Sequence, residues 1–190
     1  MKQLLFSPQT EGIEEVHIEE PCAALKMSWQ IKKKLKEIHR DEQIIILCIG
    51  TDRSTGDSLG PLIGTSLTAY GPKKVKILGT LKNPVHALNL QEIHQNILLE
   101  YEKPFIIAID ACLGKMKNIG IIRTKNGPLK PGAGVKKELN PVGDMNITGI
   151  VNVSGCLEYM VLQNTRLYLV HQMAKTISRA LVWGINSYWI

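Results

Sequence analysis

Two stretches of the chain are almost continuously apolar and rich in β-branched residues. They are Gln43-Ile44-Ile45-Ile46-Leu47-Cys48-Ile49 and Pro104-Phe105-Ile106-Ile107-Ala108-Ile109-Asp110. Such runs fit strands covered on both faces, as in a parallel sheet. Lys74-Val75-Lys76-Ile77-Leu78 predicts a further strand between them. Elsewhere the apolar period changes to that of a helix. Ala24, Ser28, Ile31, Leu35 and Ile38, with Leu25 and Trp29 widening the stripe, predict a helix over 22–39 that starts behind Pro21. Ser58 as a cap and Pro61 in the first turn predict a helix over 59–70, which Gly71-Pro72 ends. Leu88, Ile93, Ile97 and Leu98 predict a helix over 88–101. Strand, helix, strand, helix, strand is the signature of βαβ units, with helices on both faces of a parallel sheet.

Beyond this the rhythm loosens. Ile119–Thr124 and Ile147–Val153 predict strands, separated by an Asn126-Gly127-Pro128 turn and the glycine-rich stretch Pro131-Gly132-Ala133-Gly134. The last third is helical. Ser154 reads as an N-cap, and Asn164 as the cap of a long helix lined by Leu167, Val170, Ala174, Ile177 and Leu181. Residues 1–20 carry little pattern and read as an extended arm, and residues 21–190 as one α/β domain. The length of 190 residues agrees with one domain.

Composition adds a constraint and charge adds an asymmetry. With 44% hydrophobic and 21% charged residues, the chain has globular composition and needs no disulfide scaffold. The net charge of +6 is moderate and does not by itself indicate a nucleic-acid binder. It hides a division. Residues 1–20 hold one lysine against five glutamates, a net of −4, which leaves +10 on the remainder. Lys32, Lys33, Lys34 and Lys36 cluster on one helix, as a solvated face or a surface for an acidic partner. The four cysteines show no CxxC pair or zinc spacing, which fits a reduced, cytoplasmic protein. No signal-peptide pattern and no apolar stretch of membrane-spanning length is present.

The chemistry concentrates at two strand ends, where open α/β sheets build their sites. One is the loop Gly50-Thr51-Asp52-Arg53-Ser54-Thr55-Gly56-Asp57-Ser58-Leu59-Gly60-Pro61. The other is Ile109-Asp110-Ala111-Cys112. A phosphate-binding loop is excluded, because Asp57 stands where a lysine is required and would repel the phosphate. Taken alone, Asp57 can simply favour a helix N-terminus and Asp110 can cap a loop.

Together these segments resemble the spore germination protease. Gly50-x6-Asp57-Ser58-Leu59-Gly60-Pro61, Ile107-Ala108-Ile109-Asp110-Ala111 and Pro131-Gly132-Ala133-Gly134-Val135 carry the resemblance. Size and the helical last third are similar to the YyaC-type sporulation proteins, and hydrogenase maturation endopeptidases are more distant relatives. The resemblance runs from about Ile44 to the C-terminus. It implies a three-layer α/β/α sandwich with a mostly parallel central sheet (phosphorylase/hydrolase-like) and a peptidase ancestry. It implies that Asp57 and Asp110 are the catalytic pair, with no cofactor. In the hydrogenase enzymes the same two positions hold a metal together with a histidine, so a divalent metal on Asp57, Asp110 and His86 is the alternative. Two close carboxyls share a proton, which suits one to activate water and the other to polarise a peptide carbonyl. Thr51 replaces the family's asparagine, Asp52 and Arg53 add charge, and the germination protease's prosegment is missing.

Arg53 is a candidate for binding a substrate carboxylate, and Gly132 and Gly134 for an oxyanion-stabilising nest. His86 can face the same crevice, whereas His94 and His171 fall on helices. Cys112 invites a thiol-protease reading but has no histidine beside it in sequence. The expected function is a sporulation- or germination-associated endopeptidase acting on a protein or peptide, small acid-soluble spore proteins among them. It would act in the cytoplasm of the sporulating cell or in the spore core. The alternatives are a non-catalytic sporulation factor that binds a protein partner, and a metal-binding maturation-type peptidase.

Overall fold

The computed structural model describes residues 13–38, 41–72, 74–131 and 139–189. Six strands form one sheet: β1 (Ile13–His17), β2 (Gln43–Cys48), β3 (Lys76–Leu78), β4 (Pro104–Gly114), β5 (Ile121–Asn126) and β6 (Met145–Val153). Their order is β1-β5-β6-β4-β2-β3. The β6-β4, β4-β2 and β2-β3 pairs are parallel, and β5 runs antiparallel to both its neighbours. The helices are α1 (Ala23–Leu35), α2 (Leu59–Tyr70), α3 (Leu90–Glu100), α4 (Glu158–Gln163) and α5 (Leu167–Asn186).

The continuous apolar runs are explained by two cores, one on each face of the sheet. Ile44, Ile46 and Cys48 of β2, with Phe105, Ile107 and Ile109 of β4, pack among α1, α2 and α5. The alternate residues Ile45, Leu47, Ile106 and Ala108 pack beneath Leu90 and Ile97 of α3, with Leu129 and Val142. A strand with apolar side chains on both faces has no polar face to alternate with. The result is the three-layer α/β/α arrangement. Each fully buried isoleucine contributes roughly 1.5–3 kcal/mol, and Leu90 and Ile97 tie α3 to the second core.

Several local expectations are corrected. Within the stretch expected as an extended arm over 1–20, Ile13–His17 forms β1, which pairs with β5 at the edge of the sheet. Only Val16 of its five residues is buried, and Arg123 of β5 donates to Glu15 at 2.7 Å. Residues 1–12 lie outside the described residues. On α1 the buried face is Ala23, Met27, Ser28, Ile31 and Leu35, while Trp29 is exposed. Packing against α5 selects that face, and Gly184 lets the α1 backbone approach closely. Ser58 does not cap α2, since its hydroxyl donates back to the Thr55 carbonyl at 2.7 Å. Ser154 is no N-cap, because α4 starts at Glu158 behind Leu157. Asn164 ends α4, donating to the Met160 carbonyl at 2.8 Å, and α5 begins three residues later without a side-chain cap.

Candidate active site

The site forms where the chain leaves β2. From β2 it passes through α2 to β3 on one side, and through α3 to β4 on the other. A crevice therefore opens at the carboxyl ends of β2 and β4, where the direction of winding switches. The Ile49 N–H donates to the Ile109 carbonyl at 2.7 Å, the last rung between the two strands. Gly50 then turns away at φ +140, its N–H donating to Val85 at 2.8 Å. A side chain at Gly50 would lie 2.0 Å from the Asp57 carbonyl oxygen, and one at Gly60 would lie 2.1 Å from the Ile49 carbonyl oxygen. These two glycines let the loop and the start of α2 close onto the end of β2. The Thr51 N–H donates to the Asp57 carbonyl at 3.0 Å, and a short 3₁₀ turn over Gly56–Ser58 follows. Asp57 is thereby held at the crevice by backbone alone.

Asp110 is placed by register. In β4 it is the first residue beyond the Cys48–Ile109 pair, opposite Thr148 of β6. Its Oδ1 accepts the Ala111 N–H at 2.8 Å, and among the described residues nothing else hydrogen-bonds to the carboxyl. Both aspartates line one cavity of about 330 Å³. Arg53, Ser54 and His86 line it as well, and Leu139, Tyr159 and Leu162 give it apolar walls.

The two carboxyls are electrostatically linked. Burial raises Asp57 above the usual carboxylate range, opposed by a backbone hydrogen bond from Thr51 and by His86 when that ring is charged. Burial raises Asp110 further, and the charge of Asp57 adds to the rise, against the Ala111 N–H. The Cys112 thiol is pushed up to about 11, first by burial and then by Asp110. It stays protonated at neutral pH, which argues against the thiol-protease reading.

The sequence-derived candidates divide. Asp57, Asp110, Arg53 and His86 meet at one cavity. Gly132 and Gly134 lie outside the described residues, although Pro131 and Leu139 on either side line the cavity. Among the described residues, no three histidine, cysteine or acidic side chains come together as a set able to hold a metal ion. Asp57, Asp110 and His86 share the cavity without forming such a set. Sequence reasoning missed Ser54, which is only 7% exposed and whose Oγ has no partner among the described residues. It also missed the wall contributed by Tyr159 and Leu162. Their proximity depends on where α4 folds back, which no local pattern reports.

A family model described as "Protein of unknown function (DUF1256)" matches residues 15–180. The chain is 45% identical over 185 residues to "Uncharacterized protein YyaC" of Bacillus subtilis (strain 168), covering 97% of this chain and 90% of that protein. The chain belongs to this family. Among solved structures it is similar to the [NiFe] hydrogenase maturation protease HycI from Thermococcus kodakarensis KOD1, with a TM-score of 0.44 and 15% identity over 78% of this chain and 98% of that one. A likeness that loose carries no functional argument.

Proposed function

We propose that this member of the DUF1256 family is an endopeptidase in which Asp57 and Asp110 activate water as a pair. One observation carries the reading. Asp57, on the loop that follows β2, and Asp110, on the adjacent parallel strand β4, line one cavity, and the charge of Asp57 raises Asp110. Two such carboxyls hold one proton between them most readily. Asp110 is raised further, so it keeps the proton. Its Oδ1 is engaged by Ala111, which leaves the other oxygen to donate toward a peptide carbonyl. Asp57 stays ionised, helped by the Thr51 N–H.

Water attacks the carbonyl carbon and gives a proton to Asp57, while the carbonyl oxygen receives the proton of Asp110. As the C–N bond breaks, the proton on Asp57 passes to the leaving nitrogen. The hydroxyl proton of the intermediate returns to Asp110 as the carboxylic acid forms. Arg53, exposed and lining the cavity, would pair with an acidic group of the substrate. The cationic body of the chain favours acidic substrates. Small acid-soluble spore proteins inside the sporulating cell or spore are the class proposed on the family resemblance. Among the described residues no helix is long and apolar enough to cross a membrane.

The test is incubation with small acid-soluble spore proteins and with a random peptide library, read by mass spectrometry. Cleavage is expected, falling about 100- to 10,000-fold in Asp57→Asn and in Asp110→Asn. Full activity in both variants would sink the assignment. A wild-type chain that cleaves nothing but retains a stable protein partner would favour the binding-factor alternative.

A further inference from the structure

β4 outlasts its neighbour. β2 stops pairing at Cys48–Ile109, whereas β4 continues to Gly114 with β6 on its other side. The backbone directions in β4 are fixed by observed bonds. The Ile109 carbonyl accepts from Ile49 on the β2 side, at 2.7 Å. The Ile106 and Gly114 carbonyls accept from Asp144 and Ser154 on the β6 side, each at 2.8 Å. Successive residues of a strand alternate, so Ala111 and Leu113 present their N–H and C=O groups to the side that β2 has vacated. The Asp110 carboxyl takes the Ala111 N–H. The Ala111 carbonyl and both Leu113 groups have no strand opposite them among the described residues. Such groups at a shielded edge seek partners.

The cavity lies at this edge. It is lined by Ile49, Gly50 and Thr51 at the end of β2, by Asp110–Leu113, and by the His86 loop across from them. It fills the place in the sheet that a longer β2 would occupy. Two polar atoms on its lining residues are buried without partners among the described residues: Ser54 Oγ, on a residue 7% exposed, and His86 Nδ1.

We propose that the site takes its substrate as an extended peptide, which adds a strand to the free edge of β4 at Ala111–Gly114 in continuation of β2. The four residues of this edge span about 13 Å, enough for a short strand whose backbone passes Asp57 and Asp110. Backbone pairing gives affinity that does not depend on sequence, and pockets for alternate side chains give selectivity. The apolar wall of Leu139, Tyr159 and Leu162 suits one apolar side chain, and Ser54 can hydrogen-bond to the peptide. The inference rests on the peptidase reading and specifies the form in which that site holds its substrate.

A test separates the two. Random dodecapeptides are selected on the full chain carrying Asp57→Asn, and the enriched peptides are remade with single N-methylated amides. Methylation at alternate amides is expected to weaken binding about tenfold each, with the amides between them indifferent. Hydrogen exchange at the Leu113 amide is expected to slow in the complex. Tolerance of methylation at every position with no protection of Leu113, or no enriched peptide at all, would overturn the proposal. If Leu113 is protected but the wild-type chain cleaves none of these peptides, strand addition stands and the peptidase reading fails. If the wild-type chain cleaves them without engaging Leu113, the peptidase reading stands and strand addition fails.

Discussion

β4 is one strand with two characters. From Pro104 to Ile109 it is paired with β2, with β6 joining on the other edge from Ile107, and its interior residues are buried between the two cores. From Asp110 to Gly114 it is paired on one edge, and it carries the acid and thiol that face the cavity. The difference comes from β2, which ends at Cys48. While both neighbours are present, the strand only adds to the core. Once one leaves, the same backbone gains free hydrogen-bonding groups and room for a carboxyl. The stable half also fixes the register of the other half, so Asp110 is positioned by isoleucines buried several residues before it.

The largest effect expected is on the functional half. Asp110→Asn keeps an acceptor for the Ala111 N–H but cannot give up or hold a proton, so peptide turnover falls about 100- to 10,000-fold. A native far-UV spectrum and a melting curve no lower than that of the wild type would place that loss on chemistry. In the structural half the pattern reverses. Ile107→Ala, at a fully buried site, is expected to cost about 2–5 kcal/mol in urea unfolding. Its turnover per folded molecule should stay near wild type. Equal damage to stability from both substitutions would break the contrast.

The third prediction concerns pH. Asp110 and Asp57 are raised in the folded state, so the folded chain holds more protons than the unfolded one above the usual carboxylate range. Stability is therefore full below that range and is lost as pH rises through the folded values. Asp110→Asn should flatten that fall in denaturant titrations across pH and leave the variant more stable than wild type at neutral pH. An unchanged slope would contradict the burial of the pair. The smallest effect lies at the sheet's edge, where Glu15→Ala removes an ion pair with Arg123 that is more than a third exposed at both ends. A loss below about 1 kcal/mol is expected there.

The same contrast explains what the sequence disclosed. The half of β4 with two neighbours announced itself, since a run such as Phe105–Ile109 has few other homes. Asp110 was legible because it follows such a run directly, and Asp57 because it lies in the glycine-bounded loop that follows the other run. Other features depended on distant partners. Trp29 extends the apolar stripe of α1 by spacing, yet α5 packs on the side of Met27 and Ile31 and leaves it exposed. β1 buries a single side chain and so left almost no pattern. Ser58 and Ser154 looked like caps, but a hydroxyl's choice between two backbone partners is settled by the local turn. Ser54 carried no sequence signal at all. Its isolation appears only once the loop, α4 and the cavity are assembled.

The central claim is that Asp57 and Asp110 behave as one coupled pair. Carbon-13 NMR titration of the Asp110 carboxyl, in the wild-type chain and in Asp57→Asn, tests it most directly. The account predicts that Asp110 ionises well above the usual carboxylate range and that removing the Asp57 charge shifts it downward. An Asp110 that titrates in the ordinary range, or that ignores the substitution, would contradict it.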